Sequence, residues 1–229
     1  MSTATINPPV PAAASQHDAA STPVVALKRR TIDSLLISIG LVAAVVFAVA
    51  GGLLTWGYNF SNDYVSRELG SQNISFPPSE ALTEEGRTDL LKYAGDKVDT
   101  GSEAEAYASF IDGHLQDIAA GATFADLGTP EREAKAAVTA AQEANQPQAT
   151  IDELQGKADA VSGQRNTLFK GETLRGLLLS AYAWSTVGTI AGFAAIGAFA
   201  AAAVMAVLVI LGLFHHRKTP KTPKTPITV

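Results

Sequence analysis

Apolar positions run uninterrupted by charge through two stretches of the chain, Leu35–Tyr58 and Gly176–Phe214. A helix needs about 20 predominantly apolar residues to cross the hydrocarbon core of a bilayer, so each stretch predicts a membrane-spanning helix. The second has no Pro and no Asn-Gly type of turn. It therefore reads as one helix of roughly 58 Å at 1.5 Å per residue, not as a hairpin of two. Its first turns, Leu177 to Ser185, are expected to rise above the membrane. Small residues recur every four positions on the first span, at Gly40, Ala44, Ala48 and Gly52, and Gly188 and Gly192 form a G-x-x-x-G on the second. Such faces let helix backbones approach closely, within one chain or across a homodimer.

Between the spans the periodicity is helical throughout, with no alternating strand pattern bounded by turns. Ser61 is expected to cap a short continuation above the first span, and Phe76-Pro77-Pro78 to break it. The next helix is expected over Thr83–Val98, with Leu82, Leu90, Leu91, Ala94 and Val98 as its apolar set. A third opens at Gly101-Ser102 with Ser102 and Glu105 as a capping box. Its core face is Tyr107, Phe110, Ile111, His114, Leu115 and Ile118, and Gly121 ends it. Thr123 and Asp126 can cap a single turn. Thr129-Pro130 starts a fourth helix, which Asn145-Gln146-Pro147 stops. A fifth begins near Thr150 and runs, with a weak point at Gly171, into the second span. Val138 is the one large apolar residue on the first arm of the resulting αα-hairpin, so weak packing is expected there. The fold class expected is all-α, with two transmembrane helices flanking an extracytoplasmic helical bundle. The expected organisation is a disordered tail (1–30), a first span (31–57), an outer helical domain (58–185), a second span (186–214) and a basic Thr/Pro-rich tail (215–229). The repeat Lys218-Thr-Pro-Lys-Thr-Pro-Lys-Thr-Pro226 suits polyproline II, and its cations suit anionic headgroups.

Charge sets the orientation. The segment Tyr58–Arg175 carries 10 Lys and Arg against 20 Asp and Glu, whereas the tails are positive, +1 up to Ser34 and +4 from His215. Cationic flanks stay in the cytoplasm, which places both termini there and the acidic segment outside the plasma membrane. Trp56 and Tyr58 end the first span and Tyr182 and Trp184 open the second, and both pairs are expected at the outer interface. Ala48-Val49-Ala50 matches a signal-peptidase site, but the apolar run continues through Leu53 and Leu54, so a retained anchor is the preferred reading. The net charge of −5 argues against nucleic acid as a partner.

Chemistry is sparse. The chain has no Cys, which excludes disulfides, thiolate metal centres and thiol nucleophiles. It also lacks a G-x-S-x-G elbow, a P-loop and a G-x-G-x-x-G. His114, the one His of the outer segment, has Asp117 three residues on and Tyr107 two turns back. That pattern fits a general base, but a core His bonded to a neighbour is the preferred reading. Asp96, Asp99, Glu103 and Glu105 surround a Gly turn without EF-hand spacing, so a solvated acidic loop is preferred over calcium. Asn59 and Asn73 stand in glycosylation sequons, which matter only in a eukaryotic secretory pathway. Neither metal nor cofactor is expected. Within the outer half of the second helix, Glu172 and Arg175 can pair across one turn, followed by Tyr182, Trp184, Gly188 and Gly192. These six residues are the candidate contact site, with His114 and Asp117 as a lesser polar site.

The stretch Phe169-Lys-Gly-Glu-Thr-Leu-Arg-Gly-Leu-Leu-Leu-Ser-Ala-Tyr-Ala-Trp184 resembles a family of two-span actinobacterial membrane proteins with no assigned function. Tyr107-Ala-Ser-Phe-Ile-Asp-Gly-His-Leu115, Leu91-Lys-Tyr-Ala-Gly95 and Phe76-Pro-Pro78 support the resemblance, which covers roughly residues 35–214. It implies two spans and an outer helical domain, and it brings no catalytic residues. The function expected is that of a non-enzymatic integral membrane protein, in contact with the lipid bilayer. Its outer domain docks on an envelope protein or on its own copy. A membrane-anchored ligand sensor and an envelope hydrolase using His114 are the alternatives.

Overall fold

The computed structural model describes residues 29–218; the expectations for residues 2–26 and for the Lys/Thr/Pro repeat beyond Lys218 fall outside these. Among the described residues the fold is all-α, with a single isolated bridge between Ser75 and Lys97 in place of any strand. Five α-helices follow in order: α1 (Arg29–Ser71), α2 (Ser79–Glu84), α3 (Gly101–Ile118), α4 (Gly128–Glu143) and α5 (Gln148–Lys218). A 3₁₀ segment, Thr88–Tyr93, lies between α2 and α3. The chain divides into two compact units. One is Ala44–Val204; the other pairs the two ends, described over residues 29–43 and 205–218.

Helices α1 and α5 are long and apolar enough to cross a membrane, with mean hydropathies of 2.5 and 2.7 over their best windows. Only 11% of each window is buried, whereas the core helix of a soluble protein would be largely covered. Threonine hydroxyls in the apolar stretches turn inward on their own helix. Thr55 donates to the Gly51 carbonyl at 2.8 Å, and Thr186 and Thr189 do the same four residues back. This satisfies them without an outside partner.

Three local expectations are corrected. Ser61 does not cap a helix: α1 runs through it to Ser71, and Ser61 Oγ donates to the Trp184 carbonyl at 2.5 Å. The helix expected over Thr83–Val98 is broken into α2 and the 3₁₀ segment. Gly86 (φ +70°) and Gly95 (φ +78°) take up left-handed backbone that ends each piece. At the first break Gly86 N–H bonds Thr83 O and Arg87 N–H bonds Leu82 O, the paired bonds of a Schellman turn. Leu82, Leu90 and Val98 still reach the core because the chain reverses between them. The cap of α3 lies two residues earlier than expected. Thr100 Oγ1 accepts from Glu103 N–H, and the Glu103 carboxylate accepts from the Thr100 N–H. Both frames match S/T-x-x-E, and the one that keeps Gly101 inside the helix wins.

Elsewhere the signals hold. Thr123 and Asp126 cap each other reciprocally. Helix α4 ends at Asn145 in left-handed backbone (φ +49°) with the same paired bonds as Gly86. Helix α5 passes through Gly171 without interruption into the apolar stretch.

The core of the larger unit gathers Val65 and Leu69 of α1, Phe76, Leu82, Leu90 and Val98 of the connecting segment, Ala104, Ala108 and Phe110 of α3, and Leu178 of α5. Phe76 stacks on Tyr93 at 5.1 Å and meets the edge of Tyr107 at 5.2 Å. Two glycines bring α3 against α5. A Cβ on Gly101 would overlap Ser185, and one on Gly171 would overlap Leu115. Gly171, expected as a weak point, is thus a contact residue.

Candidate functional site

Helix α5 carries all six candidate contact residues. Glu172 and Arg175 pair as the spacing predicts, with Arg175 Nη1 3.1 Å from Glu172 Oε2. The same nitrogen lies 3.4 Å from Asp112 Oδ1 of α3, a partner the sequence gave no signal for, because it comes from another helix. The guanidinium therefore bridges two carboxylates beside a hollow of about 570 Å³ lined by Asp112, Leu115, Phe124, Leu168 and Glu172. The hollow combines an apolar floor with two acids.

Lower on α5, Tyr182 packs where Gly101 of α3 meets the helix. Trp184 is 53% exposed, although its carbonyl accepts from Ser61. Gly188 and Gly192 meet α1 of the same chain: added Cβ atoms would lie 2.9 Å from Ser61 Cβ and 2.9 Å from Tyr58 Cδ2. Gly188 and Gly192 thus contact α1 within the chain, one of the two arrangements expected for the G-x-x-x-G. The four-residue stripe on α1 does not hold together. Gly51, not Gly52, lies under Phe199, and nothing stands within 4 Å of a Cβ on Gly52. Four residues advance a helix by more than a full turn, so a strict four-residue stripe rotates away from a neighbour that an average spacing of 3.5 would keep facing.

The register also separates the aromatic pairs. Tyr58 lies opposite Gly192 and Gly51 opposite Phe199. Trp56 then stands opposite Ala194, ten residues along α5 from Trp184, or about 15 Å. The two aromatic pairs do not form one belt. On α1, Trp56, Phe60 and Tyr64 stack as a ladder, with ring centroids 5.5 and 6.2 Å apart, and all three are exposed.

His114 is not paired with Asp117. Its Nδ1 lies 3.1 Å from the Phe110 carbonyl and its Nε2 3.6 Å from Glu85 Oε2 of the α2 segment, while its ring meets the edge of Phe110. Asp117 is exposed. Glu103, one of the acids considered for calcium, is engaged in capping α3, and among the described residues no three His, Asp or Glu are grouped to hold a metal.

Two further polar centres escaped sequence reasoning. Arg87 holds Asp89 through two bonds and reaches across to the Ser109 carbonyl and hydroxyl of α3. The Asp89 hydrogen bonds raise its pKa above the ordinary value. Glu131 of α4 accepts from Lys135 at 2.7 Å, from Arg165 of α5 at 2.7 Å and from Ser162 at 2.9 Å. These bonds, the Lys135 one foremost, hold its carboxyl down at about 2. Arg165 in turn lies over the Phe124 ring at 4.0 Å. Comparison with family models, with curated proteins and with solved structures returns no match.

Proposed function

We propose that this chain is a two-span integral membrane protein, with both termini cytoplasmic, whose extracytoplasmic helical domain serves as an interaction module. The observation that carries the reading is a mismatch of lengths. The exposed apolar face of α5 runs from Leu177 (65% exposed) through Trp184, Val187, Ile190 and Phe193 to Phe214. That is 38 residues, about 55 Å, against a hydrocarbon core of about 30 Å. If the bilayer takes Leu35–Leu54 of α1, the register leaves the first 20 or so uncharged residues of α5 above it. Moving the bilayer outward would instead immerse Asp63, Arg67 and Glu68 of α1, which is costly. The surplus face and the Trp56–Phe60–Tyr64 ladder make an exposed apolar surface outside the bilayer, and such surfaces mark protein contacts. They suit a helical segment of an envelope protein, a second copy of the chain included. Kinship with the uncharacterised two-span actinobacterial proteins belongs to the same proposal.

Photo-crosslinking residues at Phe60 and Leu177 test it. Both should capture a protein in intact cells, while one at Gln142 should not. Capture of lipid alone at Leu177 would mean that the face is simply immersed. Cys at Gln142 should react with an impermeant thiol reagent from outside, and Cys at Ser15 or Thr222 should not. Labelling of Thr222→Cys in intact cells would overturn the topology.

A further inference from the structure

Helix α1 carries an apolar stripe that its own chain leaves uncovered. Val46, Val49, Leu53, Trp56 and Phe60 are spaced alternately three and four apart, and all are between 50% and 65% exposed. In the sequence the same alternation begins at Leu35, Ile39 and Val42. The α5 side of the helix is different: Gly51 lies under Phe199, Tyr58 against Gly192 and Ser61 against Gly188. Val49 and Leu53 flank Gly51 at a distance of two residues, about 200° around the axis. Trp56 and Phe60 flank Tyr58 in the same way. The stripe therefore points away from α5.

An average spacing of 3.5 residues is the repeat of a helix that packs along a second helix in a left-handed supercoil. Inside the bilayer that spacing decides nothing, since lipid tails cover large apolar side chains as well as protein does. Above the bilayer it does. With Leu35–Leu54 in the hydrocarbon, Phe60 stands roughly 9 Å and Tyr64 roughly 15 Å beyond its edge, where headgroups extend only about 5–7 Å. There the alternation continues in phase but turns polar: Asp63 follows Phe60 by three residues and Arg67 follows Asp63 by four. Both are exposed. They are spaced to pair with each other, yet among the described residues neither forms an ion pair.

We infer that this face of α1 is the seam of a parallel two-fold homodimer, the stripe of one copy packing on the stripe of another. Copies inserted with one topology meet in parallel, so equal residues stand at equal heights. The stacked rings of Trp56, Phe60 and Tyr64 in each copy then cover those of the other where no lipid tail reaches. Asp63 and Arg67 occupy successive layers of the seam, so each carboxylate has the guanidinium of the other copy one layer away. That offsets the like charges facing each other across the two-fold, and polar groups at seam positions fix the register. A different partner would have to leave the bilayer as an unbroken helix, with the same spacing and matching charges at the same height. Helix α1, continuous from Arg29 to Ser71, is itself such a helix. The inference rests on the membrane reading proposed above and names the partner of the α1 face.

The chain has no Cys, so single introduced cysteines report contacts between copies. In membranes holding the full chain, mild oxidation with copper phenanthroline should join copies through Leu53→Cys, Trp56→Cys or Phe60→Cys. Phe47→Cys and Glu68→Cys, at exposed positions one residue off the seam, should stay uncrosslinked. Asp63→Arg should lower the Phe60→Cys cross-link at least about tenfold, because like charges then face each other across the seam. Adding Arg67→Asp should restore it, which separates lost pairing from lost folding. Equal cross-linking at all five positions, none at any, a cross-link unmoved by Asp63→Arg, or a charge swap that restores nothing would each overturn the dimer. A photo-crosslink from Phe60 to a different protein would also overturn it, while leaving the interaction module standing. Release of the chain from membranes by alkaline carbonate would instead overturn the membrane reading itself.

Discussion

The α2–α3 region and the α4–α5 hairpin belong to the same compact unit but are held together by different physics. In the first, Leu82 and Val98 are fully buried, Phe76 is 3% exposed, and three aromatic rings interlock. In the second, α4 buries only Gly128, Val138 and Ala141, and the tie to α5 is the Glu131 carboxylate gripped by Arg165 and Ser162. Burial is non-directional and scales with area. A carboxylate with several donors is directional, and it depends on pH. An Ala-rich arm cannot bury enough area to hold itself, so charge does the work that large side chains do elsewhere.

The largest expected effect breaks the buried half. Leu82→Ala should destabilise the unit by about 2–5 kcal/mol, as for other fully buried leucines, measured by denaturant unfolding in detergent. A loss under about 1 kcal/mol would mean that the α2 segment does not share the core.

The two glycines of α5 with different surroundings sharpen the picture next. Gly171→Ala should destabilise, by about 1–3 kcal/mol, because its Cβ would overlap Leu115. Gly163→Ala, with nothing within 4 Å, should stabilise by up to about 1 kcal/mol through helix propensity. Equal signs for the two would show that α3 can shift away from α5.

The charged half should respond to acid. Glu131 titrates near 4.5 when free and at about 2 in the folded chain. Its contribution is therefore complete above about pH 5 and fades as the pH falls toward 2. Proteolysis or hydrogen exchange confined to α4 should increase over that window while the α2–α3 core stays protected. Glu131→Gln should make α4 equally labile at pH 7 and remove the pH dependence.

The smallest effect is expected at the candidate contact. The Glu172–Arg175 pair is half exposed, at 48% and 33%, so breaking it should cost no more than about 1 kcal/mol. A double-mutant cycle with Asp112 should show coupling of both acids to Arg175. Strict additivity would show that the guanidinium serves neither.

Much of this was legible in the chain. The two apolar runs, the Thr123–Asp126 cap, the stop at Asn145 and the continuity of α5 follow from local signals, since composition, caps and left-handed turns act within a few residues. The pattern marks Leu82, Leu90 and Val98 as core residues, but no single helix joins them, because hydrophobicity reports burial and does not report where the chain turns back. Gly86 and Gly95 carried that information. Arg87–Ser109, Glu131–Arg165 and Arg175–Asp112 were invisible, because each joins residues more than 20 positions apart.

By itself the sequence determined which two long segments are apolar, where charge is excluded, and that Glu172 and Arg175 meet, because these depend on neighbours within a turn or on composition alone. Tertiary structure decided which glycines touch another helix, that Gly188 and Gly192 face α1 of the same chain, and which carboxylate His114 approaches. Those outcomes turn on the register between distant helices. A shift of one residue, 1.5 Å along the axis and 100° around it, would have given a different set of contacts from the same local signals.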